Sequence, residues 1–401
     1  MKIVFTFGGT PHYYNKILNL IHNKEGYEIA LISPEKKSNT IGAGVFQTSD
    51  GIDFEHIPLL EYKTWYGKPF FKDYYQTLKQ LKPDILVIGW PYFINLLLHK
   101  KAVKKLKESG VQVIVKEIPF SIPNYKESLA SFRLNTSFYQ RQERIFKSNF
   151  YFFLNKWIRK MAFKNIIDGA VVYIEKGKEI LHSYGLDKHK ITVTYNSIVT
   201  KDIFETIDQL NAEGLQIDTM REEHHLLHVG RLVKWKRVDL LIEAVAKLKQ
   251  EYPKVQLSVV GAGPELESLK EQVEKLGLQE CIHFKGAVYD SKELAKCFMK
   301  AQVYVLAGMG GLSINEAMCY SLPIVCSVCD GTEKHLVYEN KNGHFFETDN
   351  VQSLTKTLSK MLSDKQTCVN MGKESLRIVE SKINEEVVVN AYLDCFNQLK
   401  G

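Results

Sequence analysis

The residues best placed to do chemistry lie in strand-to-helix loops of the C-terminal half. In "VGRLVKWKR" (229–237), Gly230, Arg231 and Lys236 emerge where an apolar run ends and a helical pattern begins. Backbone N–H groups and the helix dipole already favour an anion at such a point. An arginine fork and a mobile lysine charge together suit a diphosphate. Lys234 and Arg237 are basic too, so the run also reads as a solvated helix start. "VVGAGPE" (259–265) repeats the arrangement, with Gly263 ahead of Pro264 at a first helical position. A lone G-x-G serves equally well as a tight turn.

"AGMGGLSINEAMCY" (307–320) is the third loop. Ser313 and Glu316 have capping-box spacing, with Ser313 as N-cap and Glu316 folding back on it. A capping box does not require Gly308, Gly310 and Gly311, and bare backbone is entropically unfavourable. The glycines make sense if N–H groups must reach a sugar or phosphate, and Glu316 then accepts hydrogen bonds from a ribose diol. Gly8–Gly9, after the first apolar run, reads as a close backbone approach or a turn.

These loops need a scaffold that ends many strands on one side. Short apolar runs alternate with helical patterns along the chain: 2–7, 28–33, 84–89, 111–116, 169–174 and 191–195, then 225–230, 255–261, 282–286, 302–307 and 323–327. Alternation of this kind predicts parallel βαβ units. The expected fold is α/β: two Rossmann-like, doubly wound parallel-sheet domains facing a cleft that takes the ligand. Residues 1–200 form the first domain, 201–383 the second, and the helix 384–401 returns to the first. The polar stretch 199–224 reads as the connection between them.

At 401 residues, 45% hydrophobic and 25% charged, the chain has the composition of a soluble two-domain protein. A net charge of +7 suits anionic small molecules or an acidic membrane surface, and nucleic acid is not an expected partner. Seven cysteines, all beyond residue 280, fall mostly in apolar runs and read as buried thiols of a cytoplasmic protein. Cys326 and Cys329 have no second pair, so no metal site is expected. Apolar runs are too short for a membrane span.

The loops "HVGRLVKWKR", "VVGAGPE", "IHFKGAV", "VYVLAGMGGLSINEAMCYSLPIV", "DGTEKHLV" and "NKNGHFF" occur in an order that resembles the retaining glycosyltransferases of family 4, which have the GT-B fold. The resemblance spans nearly the whole chain and is strongest over 225–350. It implies that Arg231 and Lys236 bind the pyrophosphate of a nucleoside-diphosphate sugar and that Glu316 holds its ribose. It also implies that backbone at Gly230, Gly263, Met309, Gly310, Gly311, Leu312 and Ser313 approaches the donor, that Ala287 and Val288 meet the base, and that Gly9 lies near the phosphates. Transfer then proceeds with anomeric retention to a glycan or lipid-linked glycan acceptor in surface polysaccharide biosynthesis, without a cofactor or metal. A uridine donor is expected first and a guanosine donor second.

Two departures stand out. The family pairs two glutamates eight residues apart, and the first falls on Gly308, so backbone donors would replace a side-chain acceptor. A histidine usual in the first domain is also absent, and Glu117 is the expected polar contact there. These departures motivate a second reading, a degenerate scaffold that binds nucleotide. A sugar-nucleotide epimerase or hydrolase is a third.

The stretch 141–165 has seven Lys/Arg against one acid. Phe146, Phe150, Phe153, Trp157 and Met161 form a stripe at helical spacing. It reads as a helix packed on its sheet, or as an interfacial helix whose Arg144, Lys147, Lys156, Arg159 and Lys160 meet anionic lipid at the inner membrane surface.

Overall fold

A computed structural model of the chain describes residues 1–36, 47–119, 122–135, 149–329 and 331–400. They divide into two compact units. One holds the residues up to Tyr195 together with the final helix, and the other holds Asn196–Asn384.

The first unit is built on β1 (Lys2–Thr6), β2 (Glu28–Pro34), β3 (Glu55–Leu59), β6 (Ile85–Gly89), β7 (Gln112–Lys116), β8 (Gly169–Val172) and β9 (Ile191–Val193). They pair in parallel in the order β3-β2-β1-β6-β7-β8-β9. β4 (Glu61–Lys63) and β5 (Pro69–Phe71) form a separate antiparallel hairpin. Helices cover both faces of a parallel sheet, so its central strands are apolar throughout rather than alternating. Val4, Ile88, Val113 and Val115 are accordingly buried in one core. The final helix, Glu385–Lys400, belongs to this unit: Tyr392 and Phe396 pack on Phe5, and the Tyr392 hydroxyl is 2.8 Å from that of Tyr14.

The second unit has β10 (His225–Val229), β11 (Gln256–Val260), β12 (Ile282–Gly286), β13 (Val303–Leu306), β14 (Ile324–Ser327) and β15 (Gly343–Phe346). The order is β12-β11-β10-β13-β14-β15, again all parallel. Strand order reverses at β10, which has β11 on one side and β13 on the other. In such sheets the crevice outside the carboxyl ends at the reversal is where ligands bind.

Each run expected to be a strand is one. β3, β15 and the hairpin were not anticipated, because they are three to five residues long and two of them contain proline. The stretch 199–224 is a correction. It is no linker: Thr200–Ala212 is a helix of the second unit, with Ile207 and Leu210 buried and Ile203 and Phe204 packed on the same core. Among the described residues no disulfide joins the cysteines, and no helix is long and apolar enough to cross a membrane.

The stretch 141–165 is described from the helix Asn149–Asn165 onward, so Phe146, Arg144 and Lys147 lie outside the described residues. Phe150, Tyr151, Phe153 and Trp157 are 57–69% exposed. Lys156 and Arg159 are buried beneath them, the reverse of the expected arrangement. Lys156 Nζ donates to the Glu127 carbonyl at 2.8 Å, and Arg159 pairs with Glu117.

Candidate functional site

The site grows from loops at the carboxyl edge of the second sheet. After β10 the chain runs through Gly230–Val233 into a single 3₁₀ turn, Lys234–Lys236, and then the helix Val238–Glu251. Backbone bonds stitch this loop to its neighbours. Gly230 N–H donates to Val260 O at 2.9 Å, Leu232 N–H to Ala262 O at 2.9 Å, and Gly261 N–H to Gly286 O at 2.7 Å. A Cβ on Gly263 would lie 2.2 Å from Leu232 O, so that glycine is demanded by loop-to-loop packing. Beyond Gly286, Ala287 is exposed and Val288 packs on the core.

The four cations of 231–237 separate by environment. Arg237 is structural: it caps the helix at φ 53° and pairs with Asp239 and Asp349. Lys234 is exposed. The Arg231 side chain has no hydrogen bond or ion pair among the described residues, and its guanidinium lies 5.7 Å from the Trp235 ring. Lys236 is buried, with Nζ 3.1 Å from Met309 O and 3.4 Å from Gly310 O. Lys236 thus meets the glycine-rich loop 307–312 directly, and Arg231 stands on the same strand-to-helix loop, beside Trp235.

That loop answers to the 3₁₀ turn as much as to any ligand. Met309 N–H donates to Trp235 O at 2.7 Å, and a Cβ on Gly308 would stand 2.1 Å from the same oxygen. Gly308 is therefore bare because backbone fills the side-chain space, which corrects the expectation of a ligand-facing backbone at that residue. Gly311 is bare above Lys236, whose Nζ would be 3.2 Å from a Cβ there.

The capping box does not form. Leu312 is the N-cap of the helix Ser313–Cys319, and it makes no side-chain capping bond. Ser313 Oγ is 2.7 Å from the Tyr304 hydroxyl, which donates to Val229 O at 3.1 Å. Tyr304 thereby ties the start of this helix to the end of β10. The Glu316 carboxyl group makes no hydrogen bond among the described residues, and burial pushes its pKa up to about 7. An enclosed carboxylate without donors is an acceptor in want of a partner.

His228, at the end of β10, is fully buried, with Nδ1 3.1 Å from Val305 O. Neither Tyr304 nor His228 was singled out from sequence. The available sign was a polar-tipped residue inside an otherwise apolar strand, in "QVYVLA" and "HLLHVG".

In the first unit, Gly9 is buried in the loop between β1 and the helix His12–His22. Glu117 is the clearest correction. It is buried in an ion pair with Arg159, whose guanidinium lies 4.3 Å from the Trp90 ring. Burial pushes the Glu117 pKa up and Arg159 opposes the shift. A carboxylate so engaged is structural and not a free contact for substrate.

Comparison with known proteins follows this geometry. Residues 216–377 match the family model of glycosyl transferases group 1. An uncharacterized glycosyltransferase of Methanocaldococcus jannaschii is 24% identical, over 98% of this chain and 95% of its own length. A Campylobacter jejuni N-acetylgalactosamine-N,N'-diacetylbacillosaminyl-diphospho-undecaprenol 4-alpha-N-acetylgalactosaminyltransferase is 26% identical, over 54% of this chain and 57% of its own. The solved glycosyltransferase from Rickettsia africae superposes with a TM-score of 0.71 at 14% identity, covering 100% of this chain and 98% of that one. The Anabaena protein HepE, solved in complex with UDP, superposes at 0.67 with 15% identity over 99% and 100%. Residues 216–377 thus match the glycosyl transferases group 1 model, and the chain has the GT-B fold.

Proposed function

We propose that the protein is a retaining glycosyltransferase. It moves a hexose or N-acetylhexosamine from a nucleoside-diphosphate sugar, uridine first and guanosine second, to a hydroxyl of a glycan or lipid-linked glycan in surface polysaccharide biosynthesis. The observation that carries the reading is the corner where the Lys236 ammonium meets the 307–312 loop, with Arg231 on the strand-to-helix loop that carries Lys236 and Glu316 in the helix that follows.

The charge that limits the reaction develops on the departing diphosphate. Arg231 and Lys236 stabilise it by charge-assisted hydrogen bonds, and no metal is required. Glu316 accepts from the ribose hydroxyls and so orients the nucleotide. The bond from the anomeric carbon to the β-phosphate oxygen breaks, and its electron pair stays on the phosphate. The acceptor oxygen attacks from the same face, and its proton passes to that phosphate oxygen, so no covalent nucleophile is needed. The names of relatives support the acceptor class: the Campylobacter enzyme acts on a diphospho-undecaprenol-linked sugar.

A membrane surface is part of the same reading. The helix Asn149–Asn165 has no Asp or Glu and turns four aromatic side chains outward. This supports peripheral attachment on the cytoplasmic face, through aromatic insertion more than through Lys156 or Arg159.

The test is release of nucleoside diphosphate from a panel of UDP- and GDP-sugars, with and without added glycan acceptors, and the anomeric configuration of the product by NMR. Acceptor-dependent release with retention is expected. Nucleotide binding without turnover across the panel would favour the scaffold reading.

A further inference from the structure

The imidazole of His228 lies directly under the proposed diphosphate corner and has no part in the mechanism above. It is fully buried, yet its Nε2 has no hydrogen-bond partner among the described residues. Such an orphaned acceptor is destabilising, and in a native core it calls for an explanation. The other ring nitrogen fixes the tautomer. Nδ1 is 3.1 Å from Val305 O, and a carbonyl only accepts, so the proton sits on Nδ1 and Nε2 carries a bare lone pair.

The direction of that lone pair is the telling feature. A Cβ on Gly230 would stand 3.4 Å from Nε2 and 3.7 Å from Lys236 Cε. The ring edge and the end of the lysine therefore converge on the space left open by a glycine. A larger residue at 230 would separate them. Burial, reinforced by the Lys236 charge, lowers the His228 pKa to about 4, so the ring is neutral at physiological pH and accepts without adding charge.

We infer that His228 is a positioning residue for Lys236: with a nucleoside diphosphate bound, Nε2 accepts one N–H of the ammonium and aims the remaining donors at the diphosphate. In the ligand-free chain the ammonium lies against the carbonyls of Met309 and Gly310. A phosphate must draw it away from them, and a lysine on its flexible stem then needs another fixed acceptor to hold one geometry. This inference rests on the donor site proposed above.

The test is calorimetric titration of the full chain with UDP, GDP and uridine. It uses His228→Phe, which keeps the ring without the lone pair, His228→Leu as a second apolar replacement, and His228→Gln, whose amide oxygen restores an acceptor. Each is measured alone and with Lys236→Met, with melting temperature followed in parallel. The expectation is about tenfold weaker diphosphate binding in the Phe and Leu variants, unchanged uridine binding, and substantial recovery with Gln. In the Lys236→Met background, removing the imidazole should have no further effect, because contacting residues couple and independent ones add. Equal losses in both backgrounds, or a Gln variant as weak as Phe, would overturn the role of His228 while leaving the donor site intact. If neither diphosphate binds the unaltered chain, or Lys236→Met does not weaken binding, the donor site itself fails and this inference falls with it.

Discussion

At the scale of single residues, the site is a small set of charges held in unequal surroundings. Arg231 and Lys236 share one role, and Arg231→Ala or Lys236→Ala should each lower kcat more than about 100-fold, the scale of losing a donor to developing charge. Steady-state assays with saturating acceptor would show it. Glu316 supplies a pH signature. Its pKa of about 7 lies above the usual carboxylate value because burial disfavours the charge. The native state therefore holds a proton that the unfolded chain has lost. This contribution to stability is complete below about pH 4.5 and declines as pH rises to about 7, by up to a few kcal/mol. Glu316→Gln should raise the melting temperature at pH 8 and leave it unchanged near pH 4.5. Ribose hydroxyls donate to the ionised form, so UDP affinity should rise from pH 6 to pH 8 in the native chain and be flat in the Gln variant. If the variant melted lower at pH 8 and bound UDP normally, Glu316 would be a structural residue.

At the scale of elements, the loops constrain one another. Gly308 is a glycine for a steric reason: the carbonyl of Trp235 fills its side-chain space. Gly308→Ala should both destabilise the second unit and weaken UDP binding, and Gly308→Glu should not restore a donor contact. A Gly308→Glu chain with higher turnover would contradict this account of the loop. The ion pair of Glu117 and Arg159 belongs to this scale as well. Glu117→Gln leaves Arg159 buried without its partner and should cost about 3–5 kcal/mol of stability. A chemical-denaturation curve unchanged by that substitution, with turnover abolished, would return Glu117 to the active site. The order of strands and loops was legible because apolar runs and glycine-rich starts are local patterns. Glu117 was misread, and the packing reasons for Gly263 and Gly308 were missed, because their partners, Arg159, Leu232 and Trp235, lie 42, 31 and 73 positions away, a separation that periodicity cannot convey.

At the scale of the whole molecule, two parallel sheets each end their strands on one edge, and that edge of the second carries the loop of Arg231 and Lys236. The helix Asn149–Asn165 was legible as an aromatic stripe, but its orientation was not, since buried Lys156 and Arg159 broke the usual rule for charge. Phe153→Ser with Trp157→Ser should reduce co-sedimentation with anionic phospholipid vesicles several-fold and leave UDP binding unchanged. Unaltered sedimentation would separate the helix from any lipid surface. The central claim is that Arg231 and Lys236 recognise a nucleotide through its paired phosphates. Calorimetric titration of UDP and uridine into the native chain, Arg231→Ala and Lys236→Ala tests it most directly. The account predicts a large loss of UDP affinity in both variants with uridine binding preserved. Equal UDP affinity in all three chains would contradict it.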